Sequence, residues 1–303
     1  MSKSSIVYSS TEYEKSSELI RRQRWQLFKR IRTAIIEVIV FIGLFLIVMV
    51  PIVWSMITSL KDKHEVLAYP PKVFNFNAVL DNYQSILSSG YIRALTNSVF
   101  YSGAAIFIGL FLGMLAAYGL YRCRFRGRKL LFYIIVAGIP LATGSAALLI
   151  PNYIYFTNIG ITDKIYTLPL LYAGYNLPMC IWILRGGLES IPIELEEAAA
   201  IDGCSRLYII FRLVPRLNRP AMASAAIFIF IGAWNEFIVS SVMINSSALR
   251  PVQMAIYDYM GYFGIEWGPL TAAASFAIVP VLIIFTFLGK YLVSGMMQGS
   301  VKG

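Results

Sequence analysis

Residues 185–220 read RGGLESIPIELEEAAAIDGCSRLYIIFRLVPRLNRP, a polar island between two apolar runs. Positions 185–219 hold five basic and five acidic side chains, so the island is more than a cluster of positive charge. Pro192 suits the first turn of a helix, because its missing N–H is not needed there. Glu194, Glu196 and Glu197 follow, near the positive end of the helix dipole, where acids are favoured. Ala198, Ala199 and Ala200 combine high helix propensity with almost no bulk. Gly203 is placed to end this short helix, and Ser205 to cap a second over 206–214 that Pro215 stops. The expectation is a helix–turn–helix whose small-residue surface fits a groove in another protein. An ordinary loop lying on a membrane stands beside it as an equal reading.

Outward from the island, the chain is 58% hydrophobic and 14% charged over 303 residues, with a mean hydropathy of +0.67. Water-soluble domains carry about a quarter charged residues, so a soluble protein is the poorest fit. Six stretches are apolar over the roughly 20 residues that a membrane helix needs. They are 38–60, 94–121, 130–150, 165–184, 221–243 and 267–288. Pro140, Pro169 and Pro178 mark places where the third and fourth can kink. The first span outlasts a signal-peptide core and reads as an uncleaved anchor. Alternate connecting segments carry 20 Lys+Arg on one side and 6 on the other. The basic side is expected in the cytoplasm, with both termini and the 185–219 loop. The net charge of +10 is therefore topological and implies no nucleic-acid partner.

Residues 1–33 form a cytoplasmic tail, and 34–303 a transmembrane domain. Within the tail, 1–18 are Ser-rich and expected to be mobile. Residues 19–33 mix Trp25, Phe28 and Ile31 with basic side chains, a pattern suited to lipid headgroups. Gly109, Gly113 and Ala117 are spaced for close helix packing in lipid. Cys123, Cys180 and Cys204 make no CxxC pair and read as free structural thiols. With His64 as its sole histidine, the chain offers no histidine-based metal site and little acid–base chemistry. No G-x-x-x-x-G-K-[ST] phosphate cradle occurs, so no catalysis is expected here. An ion-gradient-driven secondary transporter would show inverted repeats, and none is evident. A non-transporting membrane assembly protein also fits the loop.

The segment Glu197-Ala198-Ala199-x3-Gly203, with Ile191-Pro192 before it and Ile201-Asp202 inside it, resembles the EAA motif of ABC-importer permeases. The chain is similar to the carbohydrate-uptake, maltose-type (type I) family over about 38–303. Asn97-Ser98, Trp234-Asn235-Glu236-Phe237, Pro280 and the terminal Val301-Lys302-Gly303 add matching pieces in order. The family's segment ends Ile-x-Leu-Pro, whereas this one reads Leu213-Val214-Pro215-Arg216.

The resemblance implies an all-α polytopic permease with six transmembrane helices and a cytoplasmic coupling helix. It implies that Glu197, Ala198, Ala199, Asp202 and Gly203 dock on a separate ATPase. The implied partners are a second permease, two ATPase subunits, an extracytoplasmic solute-binding protein, membrane lipid and a carbohydrate. No cofactor is expected in this chain, ATP and Mg belonging to the ATPase. The setting is a bacterial or archaeal inner membrane.

Glu236 is an acid inside the fifth span, 17 residues after Arg219, or about 25 Å at about 1.5 Å per residue of continuous helix. Asn235 and Glu236 are candidates for the translocation path or gate, and a bond from Glu236 to the partner permease is the competing reading. The outer aromatics Tyr153, Tyr155, Phe156, Tyr257, Tyr259, Tyr262 and Phe263 read mainly as an interfacial belt.

Overall fold

The computed structural model describes residues 4–73, 75–140, 146–261 and 264–298. The chain forms two compact units, 1–57 and 58–303. The first unit is carried by one helix, α1 (Ser4–Ser59). The Ser-rich stretch expected to be mobile is helical from Ser4. It is flanked by Glu, Lys, Leu, Arg and Gln, all strong helix formers. Within α1, 28–59 is long and apolar enough to cross a membrane. At its polar end Lys29 Nζ stands 3.8 Å above the Trp25 ring.

The second unit begins with a loop holding α2 (Lys63–Val66) and α3 (Asp81–Ser88). Glu65 closes the loop by accepting from Lys72 Nζ at 2.8 Å and from the Asn77 N–H at 3.0 Å. The Lys72 ammonium holds the Glu65 carboxyl below its ordinary range. Then follow α4 (Tyr91–Arg122), α5 (Arg128–Ala137), α6 (Ala146–Asn158) and α7 (Thr167–Glu189). The loop helices are α8 (Glu194–Ile201), α9 (Arg206–Tyr208) and α10 (Val214–Leu217). Last come α11 (Arg219–Trp234), α12 (Ile238–Met243), α13 (Val252–Tyr257), a two-residue hairpin of β1 (Met260–Gly261) and β2 (Gly264–Ile265), and α14 (Trp267–Gln298). This is an all-α polytopic fold.

Four expected spans coincide with long apolar helices: 28–59 of α1, α4, α7 and 267–291 of α14. The third divides into α5 and α6, and 141–145 between them lie outside the described residues, as do Tyr262, Phe263 and the terminal Val301-Lys302-Gly303. The fifth is not one helix: α11 ends at Trp234 and α12 resumes at Ile238. Pro169 lies in the first turn of α7, where its lost donor costs nothing, and Pro178 is absorbed inside that helix.

The core lies where α4, α7 and α11 meet. The buried face of α4 repeats small residues every fourth position, Ala105, Gly109, Gly113 and Ala117. A Cβ on Gly113 would lie 2.6 Å from Cys180 Sγ and 3.3 Å from Leu184 Cδ1. The same thiol donates to the Gly109 carbonyl at 3.3 Å. The expected packing role of this stripe is therefore observed, and Cys180 is the structural thiol that fits it. Overfilling a tight contact costs about 1–3 kcal/mol. Gly113→Leu should thus lower the unfolding temperature of the purified protein in detergent, while Gly103→Leu, with open space around it, should not.

A second core joins Ile86, Tyr91, Phe230, Trp234, Val252 and Ala273. Here the Asn97-Ser98 pair has a clear structural task. Asn97 Nδ2 donates to the carbonyls of Ala248 and Arg250, and Ser98 Oγ accepts the Val252 N–H at 2.7 Å. These bonds pin the segment after α12 onto α4.

Candidate functional site: the loop helix and the broken span

α8 is a two-turn helix with acids at its positive end. Its C-terminus closes in a Schellman motif. The Gly203 N–H donates to Ala200 O at 3.1 Å and the Cys204 N–H to Ala199 O at 3.0 Å. Gly203 holds φ +86, which is the left-handed region that favours glycine. Ser205 then caps α9, accepting the Tyr208 N–H at 3.2 Å. The helix–turn–helix is as expected to this point.

Pro215 does not stop the second helix. A π turn over Ile209–Leu213 carries α9 into α10, which runs to Leu217. The Val214 N–H reaches back to Ile209 O, the wide spacing of a π turn. Widening the helix ahead of the proline gives the ring room that an α-helix would deny it. The chain then bends by 84° into α11. Asn218 holds that elbow, donating from Nδ2 to Leu184 O on α7 at 3.1 Å.

The expected docking residues divide between two faces of α8. Glu197, Ala198, Asp202 and Gly203 are exposed. The Glu197 and Asp202 carboxylates show no hydrogen bond or ion pair among the described residues. Ala199 instead turns inward with Cys204 against the α4–α7–α11 core. Apolar Ile193, Leu195, Leu207 and Ile201, the last 87% exposed, frame the outward face.

Glu196 does more than face the positive end of the helix dipole. It is 6% exposed and points away from Glu197. Arg122 Nε donates to its Oε1 at 2.7 Å and the Tyr118 hydroxyl to its Oε2 at 2.9 Å. Arg122 Nη2 also donates to Ile191 O at 2.8 Å. The only hint in the sequence is that Arg122 ends a span on the same side as the loop.

At the broken span, α11 runs unbroken from Arg219 to Trp234, about 22 Å at about 1.5 Å per residue, and ends two residues short of Glu236, which therefore lies just beyond the helix end. Its carboxylate serves the restart of the chain. The Val239 N–H donates to Oε1 at 2.8 Å and the Ser240 N–H to Oε2 at 3.0 Å. The Tyr172 hydroxyl of α7 approaches Oε2 at 3.5 Å. Gln253 Nε2 satisfies the Trp234 carbonyl at 3.1 Å. Asn235 is exposed and donates back to Ile231 O at 3.0 Å. Phe237 packs against Tyr257, ring centroids 4.7 Å apart. An acid beside an interrupted helix thus has partners in its own chain.

Long apolar helices joined by a short helix–turn–helix define a polytopic membrane protein. Comparison with known proteins agrees. The pattern described as "binding-protein-dependent transport system inner membrane component" matches residues 109–298. The chain is 32% identical to the sulfoquinovosyl glycerol transport system permease of Agrobacterium fabrum, covering 91% of this chain and 94% of that one. It is 29% identical to the trehalose/maltose transport system permease of Thermococcus litoralis, over 88% and 97%. A crystal structure of a bacterial ABC transporter that imports the acidic polysaccharide alginate shares the fold, with TM-score 0.71, 23% identity and coverage of 83% and 94%. The chain belongs to the binding-protein-dependent transport system inner membrane component family.

Proposed function

We propose that this chain is one of two permeases of a carbohydrate importer, and that α8 is the helix through which ATPase subunits drive it. The observation that carries the reading is the outward face of α8: the Glu197 and Asp202 carboxylates, without a partner among the described residues, beside Ala198 and exposed aliphatics. Carboxylates offer bonds to basic groups of a partner, and the alanine lets its backbone come close. Glu197, Ala198, Asp202 and Gly203 make the contact, and Ala199 supports it from within. ATP and Mg act on the partner ATPase, and this chain needs no cofactor of its own. The basic loops lie inside with both termini, in a bacterial or archaeal inner membrane. Asn235 and Glu236 stand at the translocation path, where a break in a span leaves backbone that must face protein or water.

Carbohydrate is favoured as the cargo class because relatives similar over most of their length are named for sulfoquinovosyl glycerol, trehalose/maltose and diacetylchitobiose. The test is purification of the chain with the proteins encoded beside it. A binding protein is then presented with trehalose, maltose, diacetylchitobiose, sulfoquinovosyl glycerol and alginate oligosaccharides. Stimulated ATP hydrolysis with one of these, and its uptake into proteoliposomes, is expected. No co-purifying ATPase would overturn the importer reading, and stimulation by a non-carbohydrate alone would overturn the cargo class.

A further inference from the structure

The docking face of α8 accounts for half of that helix, and the opposite face carries the Arg122–Glu196–Tyr118 cluster. We infer that this cluster is the strut through which movement of the docked α8 reaches α4, so that Glu196, Arg122 and Tyr118 are positioning residues for transport. The inference rests on the proposed docking of α8.

The backbone ties α8 to α7 on one side and to α9 on the other. α4 is not its neighbour in the chain, yet α4 packs along both α7 and α11. A push on α8 therefore needs a non-covalent link to reach α4. The bond from Arg122 Nε to Glu196 Oε1 spans 74 positions of sequence at 2.7 Å, and the Tyr118 hydroxyl takes the other carboxylate oxygen. Arg122 is the last residue of α4 and Tyr118 lies one turn earlier, so both oxygens of one loop acid are held by one helix end. The third bond, from Arg122 Nη2 to Ile191 O, fixes the backbone just before α8. Translation and tilt of α8 relative to α4 are thereby constrained together.

The chemistry argues that the link serves more than stability. The ion pair is buried, with side-chain exposures of 9% and 7%. Burying two charges forfeits their hydration, and an apolar pair of equal volume often stabilises as well or better. What the charged arrangement adds is direction: three short bonds with fixed angles, two of them charge-assisted on one carboxylate. Neighbouring acids have separate tasks on this view. Glu197 faces the partner protein and Glu196 faces the membrane helix, a division that helical rotation between adjacent positions imposes.

The experiment uses the assembled transporter with its partner permease, ATPases and binding protein, and reads three quantities. These are ATPase subunits retained, basal ATP hydrolysis, and stimulation of hydrolysis by the binding protein with the sugars above. Glu196→Gln should keep the ATPase subunits and the basal rate, and lose about tenfold of the stimulation, within the usual range of coupling between sites. Tyr118→Phe should lose about twofold to threefold, since one bond of the set is removed. The exchanged pair, Arg122→Glu with Glu196→Arg, should recover most of the stimulation. Full stimulation in both Glu196→Gln and Tyr118→Phe would overturn the strut. So would loss of the ATPase subunits from Glu196→Gln with no recovery in the exchanged pair, which would make the cluster a fold element only. If Glu196→Gln does not accumulate, Tyr118→Phe alone decides: normal stimulation overturns the strut and reduced stimulation with a normal basal rate supports it. Absence of stimulation in the unaltered complex would instead overturn the importer reading itself.

Discussion

Ala198→Trp is expected to abolish capture of ATPase subunits while leaving the permease folded. Ala198 is exposed at the centre of the outward face of α8, so the indole meets no atom of its own chain's core. Within a closely packed interface the same indole must displace backbone. Overpacking of such contacts costs about 1–3 kcal/mol and occasionally more. Each 1.4 kcal/mol is about a tenfold loss of affinity. A loss of about 10- to 100-fold should therefore be read as disappearance of the ATPase from the purified complex. Ala198→Ser is the control, adding one small atom, and should retain the ATPase. Ala199→Trp gives the informative contrast. Ala199 packs inward, so its replacement should lower the thermal stability of the permease itself. Undiminished ATPase retention by Ala198→Trp would remove the outward face of α8 from the interface.

The contrast between Ala198 and Ala199 shows where sequence reading reaches its limit. Helix α8, its glycine stop and its serine-capped successor follow from local chemistry, because caps, dipoles and glycine φ depend on residues a few positions apart. The spans 28–59, α4, α7 and α14 are legible for a similar reason, since twenty apolar residues have few other uses. The stripe on α4 is legible as small residues, but its fit to Cys180 is not. The Arg122–Glu196 bond was out of reach because nothing local distinguishes Glu196 from Glu194 or Glu197; only the arrival of α4 does. Pro215 misled because proline's cost in a helix depends on whether the preceding turn can widen, and the π turn over Ile209–Leu213 does so. The break at Asn235–Phe237 misled in the opposite sense, since its surroundings are apolar enough to pass for one span.

That break carries the second large effect. Glu236→Leu is expected to cost at least about 2 kcal/mol of stability, since two N–H donors lose their acceptor at about 1–3 kcal/mol for each group left unpaired. The amides of Val239 and Ser240 start α12, where no helical carbonyl precedes them, so no backbone partner can take over. Glu236→Gln separates shape from charge. Its single carbonyl oxygen can serve one of the two amides, while its NH2 group meets the other donor head on. The loss should be intermediate. Tyr172→Phe should cost less than about 1 kcal/mol, because a hydroxyl at 3.5 Å is at the limit of a useful bond. The order Leu, then Gln, then the Tyr172 variant is checked by unfolding temperature in detergent and by amide hydrogen exchange at Val239 and Ser240. Exchange at those two amides should rise first and most. Equal stability of Glu236→Leu and the unaltered chain would mean the carboxylate does not hold the restart. The acid would then be free to serve the pathway alone. Transport retained by Glu236→Gln at its reduced stability would take Glu236 off the proposed path and leave it the task of fixing the break in the span.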